Sequence, residues 1–185
     1  VEAQPQFDFL AAMRAWTTVV MCGMALSIQQ KVDAMGRPPR ADELEPSILD
    51  AWKLGLKVPG TEYLRSINIV HAAGRLLARF FVDHDLFLTP TLAEPPARVG
   101  RFAPTNPDFM DLRLGPRGTV HYSPFPPVFN ISGQPAISLP LHWTADGLPV
   151  GLQFAARAGE EMTLLKLAAQ LEKAKPWFDR RPPIV

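Results

Sequence analysis

The stretch Pro124–Gln153, PFPPVFNISGQPAISLPLHWTADGLPVGLQ, decides how this chain is read. Pro124 to Ser132 suggests a short helix or turn, with Gly133 as its C-terminal residue. Ala136–Trp143 and Leu148–Ala155 are apolar runs either side of Ala145-Asp146-Gly147, and Asp-Gly between two such runs signals a β-hairpin. Pro140 and Pro149 withhold backbone donors, so the hairpin needs an edge position or a bulge. An amphipathic helix is expected from Glu160 to Lys173. Its first turn is acidic (Glu160, Glu161) and its end basic (Lys173, Lys175), as the helix dipole favours.

Upstream the pattern is helical. Phe7 to about Val32 repeats apolar residues at three-, four- and seven-residue intervals (Leu10, Met13, Val20, Met24, Ile28) and stops at Gly36-Arg37-Pro38-Pro39. Pro46–Lys57 fits a shorter helix with Ile48, Leu49, Trp52 and Leu56 on one side. The strongest helical pattern runs from about Thr61, a candidate N-cap, to Asp83. Leu64, Ile67, His71, Gly74, Leu77 and Phe81 form its expected buried stripe, and Arg65, Asn68, Arg75 and Arg79 a solvated one. Asp85–Pro90 reads as a short buried strand. The proline-rich loop from about residue 94 to 120 is expected to lack regular elements and to pack over a surface.

With 185 residues, nearly half of them apolar and a net charge of +1, the chain reads as one globular region, 1–185. That charge gives no electrostatic case for nucleic acid or a membrane as partner. No signal peptide is recognised at Val1, and no stretch is counted as reaching the roughly 20 apolar residues of a bilayer span. The single cysteine, Cys22, is read as a small core side chain, with the cytoplasm as default compartment.

Chemistry is sought among the serines and histidines. Ser27, Ser47, Ser66, Ser123, Ser132 and Ser138 all lie outside any Gly-x-Ser-x-Gly elbow. Ser132, before Gly133, is the best local nucleophile candidate, but a helix-end hydroxyl bonding the preceding turn explains it better. His71 is expected to be a hydrogen-bonded core histidine and His84 a solvated helix-to-strand junction. His121 lies near the expected pocket, and His142 faces away from Leu141 and Trp143. No metal-ligand spacing and no phosphate-binding loop occurs, so no cofactor is implied. The residues alone assemble no catalytic set.

Phe129-Asn130-Ile131-Ser132-Gly133-Gln134-Pro135-Ala136-Ile137-Ser138-Leu139-Pro140, followed by Asp146-Gly147-Leu148-Pro149-Val150-Gly151-Leu152-Gln153, resembles the C-terminal part of the amidase signature hydrolases. Asp83–Thr91 resembles that family's strand ending in Thr-Pro-Thr, and Pro176-Trp177 with Arg180-Arg181-Pro182-Pro183 its C-terminus. The likeness runs from about Glu45 to the end of the sequence. It implies an α/β fold: the C-terminal part of an α/β/α sandwich with a mixed twisted sheet, long helices and a terminal β-hairpin plus helix. It also implies hydrolysis of carboxylic amides through a serine acyl-enzyme, using a Ser–cis-Ser–Lys triad without cofactor.

None of the triad residues can be placed here, so the chain is expected to be a substrate-pocket portion, inactive without the N-terminal half of the same enzyme. Implied pocket residues are Tyr122, Phe125, Val128, Phe129 and Asn130, with Thr89 and Thr91 secondary. Core packing is an equal reading for Val128 and Phe129. The expected partners are a small-molecule amide and the N-terminal half, with a homodimer left open. Two alternatives remain. One is a non-catalytic binding or scaffold domain. The other is a tRNA-dependent amidotransferase A-type subunit, for which Arg113 and Arg117 would be the charged groups.

Overall fold

The computed structural model describes residues 2–40, 42–103 and 105–181. Its elements are α1 (Phe9–Met35), α2 (Pro46–Gly55), α3 (Gly60–Asp83), β1 (Leu86–Pro90), α4 (Phe109–Leu114), α5 (Thr119–Tyr122), α6 (Pro126–Ser132), β2 (Ala136–Trp143), β3 (Pro149–Ala156) and α7 (Glu161–Ala174). They pack as two compact units, with the division inside α3. A helical unit comprises Gln6–Leu76 and Arg98–Tyr122. A sheet unit comprises Val1–Pro5, Leu77–Ala97 and Ser123–Val185.

In the helical unit, the Asp8 carboxylate caps α1 by accepting from the Ala11 amide at 2.9 Å. The buried face of α1 carries Ala12, Met13, Ala15, Thr17, Met21 and Ala25, and Leu10 is exposed. On α2 the buried residues are Ser47 and Ala51 rather than the bulky side chains expected. Small residues let helix backbones approach closely, which apolar periodicity does not register. Met21, Ala51 and Phe109 form one core cluster, flanked by Met24, Leu54, Val58 and Met110.

Several expectations are corrected here. Helix α1 is long and apolar enough to cross a membrane, so a stretch of span length does occur. A third of its most apolar window is buried within the protein (33%). Cys22 on this helix is half-buried, and that burial pushes its thiol pKa up. The proline-rich loop contains α4, and α5 begins at its end. The Asp108 carboxylate accepts from the Asp111 amide at 2.8 Å and starts α4, which the prolines at 107 and 116 only bracket. The Phe109 amide is tied to Asp50 at 3.0 Å. Thr61 is not the cap of α3. The amides of Glu62 and Tyr63 bond the Pro59 carbonyl, which starts the helix a residue earlier. The buried stripe of α3 is Ser66, Val70, Ala73, Leu77 and Phe81; Leu64 and His71 are exposed.

In the sheet unit the strands run in the order β1-β3-β2, antiparallel throughout. The hairpin forms around Ala145-Asp146-Gly147. The Gly147 amide bonds the Thr144 carbonyl, and Gly147 takes a φ of 82°, a left-handed turn that glycine adopts without strain. Pro140 sits where the β2–β3 register shifts, the bulge that the prolines demanded. Pro90 and Pro149 end and begin their strands, where a missing donor costs least.

The register sorts the side chains onto two faces. One carries Leu86 / Ala156, Leu88 / Phe154 / Ile137 and Leu152 / Leu139, plus Leu141 at the bulge. Helix α7 covers it through Leu164, Leu167, Ala168 and Leu171, and Trp177 joins from the following segment, but Leu88 is left exposed, so β1 is less buried than expected. That segment continues to Arg180, whose guanidinium lies 4.1 Å from the centre of the Trp143 ring. The other face carries Phe87 / Ala155 / Ala136, then Thr89 / Gln153 / Ser138, then Gly151 / Pro140 with Thr91 alongside.

Candidate substrate-pocket site

The second face of the sheet is covered at one end and open at the other. At the covered end, Phe129 of α6 meets Phe87 edge-on (centroids 6.2 Å apart), Phe87 meets Phe80 (5.1 Å), and Phe80 stacks on His84 (4.3 Å). His84 Nδ1 also lies 3.0 Å from the Phe80 carbonyl. This histidine is therefore a half-buried part of an aromatic row rather than a solvated junction. Arg157 donates to the Phe81 carbonyl at 2.6 Å, satisfying a carbonyl near the end of α3.

At mid-sheet, buried Gln153 donates from Nε2 to Thr89 Oγ1 at 3.3 Å. At the open end, Thr91 Oγ1 and Ser138 Oγ lie 2.6 Å apart, and the Thr91 amide bonds the Gly151 carbonyl at 2.9 Å. A Cβ on Gly151 would stand 2.7 Å from both hydroxyl oxygens, so only glycine fits the strand against this pair. The three residues border a cavity of about 520 Å³, within the range of small-molecule sites. The chain after β1 (Leu92 to Pro96) forms its far wall.

Of the residues expected in the pocket, Thr91 alone lines this cavity. Thr89 lies one register pair behind it, buried. Val128 and Phe129 are 8% and 5% exposed and serve as core. Phe125 is half-buried and Asn130 exposed. Tyr122 belongs to the helical unit, where its ring lies 5.1 Å from Phe102 with Arg101 over both. Arg113, on α4, is half-buried, which lowers its pKa; Arg117 is exposed. Ser138 and Gly151 were not singled out as site residues. The signal for them is the period-two count from Thr89: once Thr89, Gln153 and Ser138 share a row, Thr91 and Gly151 must lie beside them.

The hydroxyl pair offers hydrogen bonds but no base. Ser138 is partnered by a hydroxyl, which does not take up its proton as a base would. Ser132 donates to the Phe129 carbonyl at 3.5 Å, the helix-end role expected of it. Among the described residues no three His, Cys, Asp or Glu side chains gather as metal donors.

The family model described as Amidase matches residues 5–165. A Mycobacterium leprae (strain TN) protein that carries the name AmiC is 37% identical over 147 residues, which is 77% of this chain and 30% of that protein. The 6-aminohexanoate-cyclic-dimer hydrolase of Paenarthrobacter ureafaciens is 30% identical over 176 residues, 94% of this chain and 36% of the hydrolase. A solved structure of 6-aminohexanoate cyclic dimer hydrolase superposes with a TM-score of 0.84 at 29% identity, covering 99% of this chain and 39% of that one. The sequence thus spans about a third of the length of these relatives. A family match over most of the sequence, with the expected hairpin and strand in place, means that this chain belongs to the Amidase family.

Proposed function

We propose that this chain is the C-terminal, substrate-pocket portion of an amidase that hydrolyses carboxylic amides through a serine acyl-enzyme, with the nucleophile supplied by sequence outside it. One observation carries the reading. Thr91, Ser138 and Gly151 come from three separated segments that resemble amidase motifs, and they converge on one cavity. The arrangement also supports the division of labour, because Ser138 has a hydroxyl neighbour and not a base.

In this reading the substrate is a small amide, in keeping with the likeness to 6-aminohexanoate-cyclic-dimer hydrolase over 94% of the chain. Thr91 lines the acyl or amine channel directly. Thr89 holds it from behind, while Val128 and Phe129 keep α6 fixed on the sheet. Phe125, Asn130 and Tyr122 are proposed substrate contacts on the strength of the resemblance.

The test is amine or ammonia release from a panel of simple alkyl and aryl amides. The full-length protein should turn them over and the isolated 185-residue chain should not. Turnover by the isolated chain would sink the reading, as would a full-length protein inert on the panel and unreactive to serine-directed probes.

A further inference from the structure

A pair of hydroxyls joined by one hydrogen bond has an unequal balance of donors and acceptors. Each hydroxyl offers one donor and two acceptor sites, and the Thr91–Ser138 bond uses one of each. About one donor and three acceptor sites are left for a ligand. Such a pair suits a group that brings N–H, and it serves an ionised carboxylate poorly, because a carboxylate only accepts.

The rest of the cavity argues the same way. Leu92, Pro95, Pro140, Pro149 and Val150 give it an apolar wall suited to an alkyl segment. Among the described residues that line it, the ionisable one is Glu94, and no lysine, arginine or histidine is present. An anionic ligand would find no positive partner in this lining. Gly151 keeps the pair reachable, since any side chain there would press on both hydroxyls.

We propose that this cavity is a specificity subsite that takes an alkyl segment ending in an N–H donor, an amine or a secondary amide, and discriminates against a terminal carboxylate. It rests on the amidase reading for the reaction it serves, but not for the binding itself. Thr91 and Ser138 are its recognition residues and Gly151 its positioning residue.

The test is calorimetric binding of hexylamine, hexanamide and hexanoate to the full-length protein, alongside turnover of hexanamide. Hexylamine is expected to bind at least about tenfold more tightly than hexanoate, the worth of roughly one good hydrogen bond. Ser138→Ala or Thr91→Val should narrow that ratio by roughly severalfold, leaving the part set by Glu94, and Thr91→Ser, which keeps a hydroxyl, should retain it. Thermal denaturation of each variant guards against misfolding.

Equal binding of amine and carboxylate, or a ratio that neither variant moves, overturns the subsite. So does the absence of binding by all three ligands. An amine preference that responds to the variants, without hexanamide turnover, supports the subsite and counts against the catalytic reading instead.

Discussion

The two faces of the sheet come from the same three strands, one residue apart, yet they end in different surroundings. Leu139, Leu141, Phe154 and Ala156 are sealed under α7 with Leu164, at 9% exposure or less. The opposite residues are Thr89, Gln153, Ser138 and Thr91. They form a polar row that passes from a buried amide–hydroxyl bond to an open hydroxyl pair. A sheet that needed only a core would make both faces apolar or leave one simply solvated. This one keeps polar side chains in register beside a cavity. In the proposed reading, stability is concentrated on one face and recognition on the other.

Breaking the comparison from its stable side should give the largest effect. Phe154→Ala should destabilise the full-length protein by about 3–5 kcal/mol, read from the denaturation midpoint, with turnover per folded molecule little changed. Gly151→Val attacks the other face. Forcing a side chain against both hydroxyls should cost about 2–3 kcal/mol, and it should raise KM more than it lowers kcat. Smaller again is Thr89→Val on the same face, which leaves the buried Gln153 amide without its partner; about 1–2 kcal/mol should be lost. Equal turnover defects from Phe154→Ala and Gly151→Val would erase the distinction between the faces.

Two smaller predictions sharpen the contrast. Arg180→Ala should cost only about 0.5–1 kcal/mol, because it removes the cation over Trp143 and leaves Trp177 packed. Glu43 lies on the surface of the helical unit, outside both faces. Hydrogen bonds from the Arg37 side chain and then the Arg40 amide lower its pKa from 4.5 to about 2. A depressed carboxylate pKa gives stability that is present above the ordinary value and lost as pH falls towards the depressed one. Acid between pH 4.5 and about 2 should therefore loosen the α1–α2 connection. Glu43→Gln should abolish that response, as followed by amide exchange.

Much of the sheet unit was legible because its signals are local. Asp146-Gly147 marks the hairpin, and three prolines mark strand ends or the bulge. The helical unit was less legible. Its buried faces use Ala12, Thr17, Ser47, Ala51 and Ser66, small or polar residues that carry no apolar periodicity. Leu10, Leu56 and Leu64, which do carry it, are more than half exposed. The α4 helix was hidden for a different reason: proline frequency across the loop masked a short window that Asp108 caps. At the site, the resemblance pointed to Thr91, but the cavity also needed Ser138 and Gly151. These lie far from Thr91 in sequence, and only the strand register brings them together.

The central claim is that this chain binds substrate while the nucleophile lies elsewhere. Labelling the full-length protein with a fluorophosphonate probe, followed by peptide mapping of the adduct, tests it most directly. The account predicts one labelled serine, on a peptide outside these 185 residues. A label on Ser132 or Ser138 would contradict it and make this chain the seat of the chemistry.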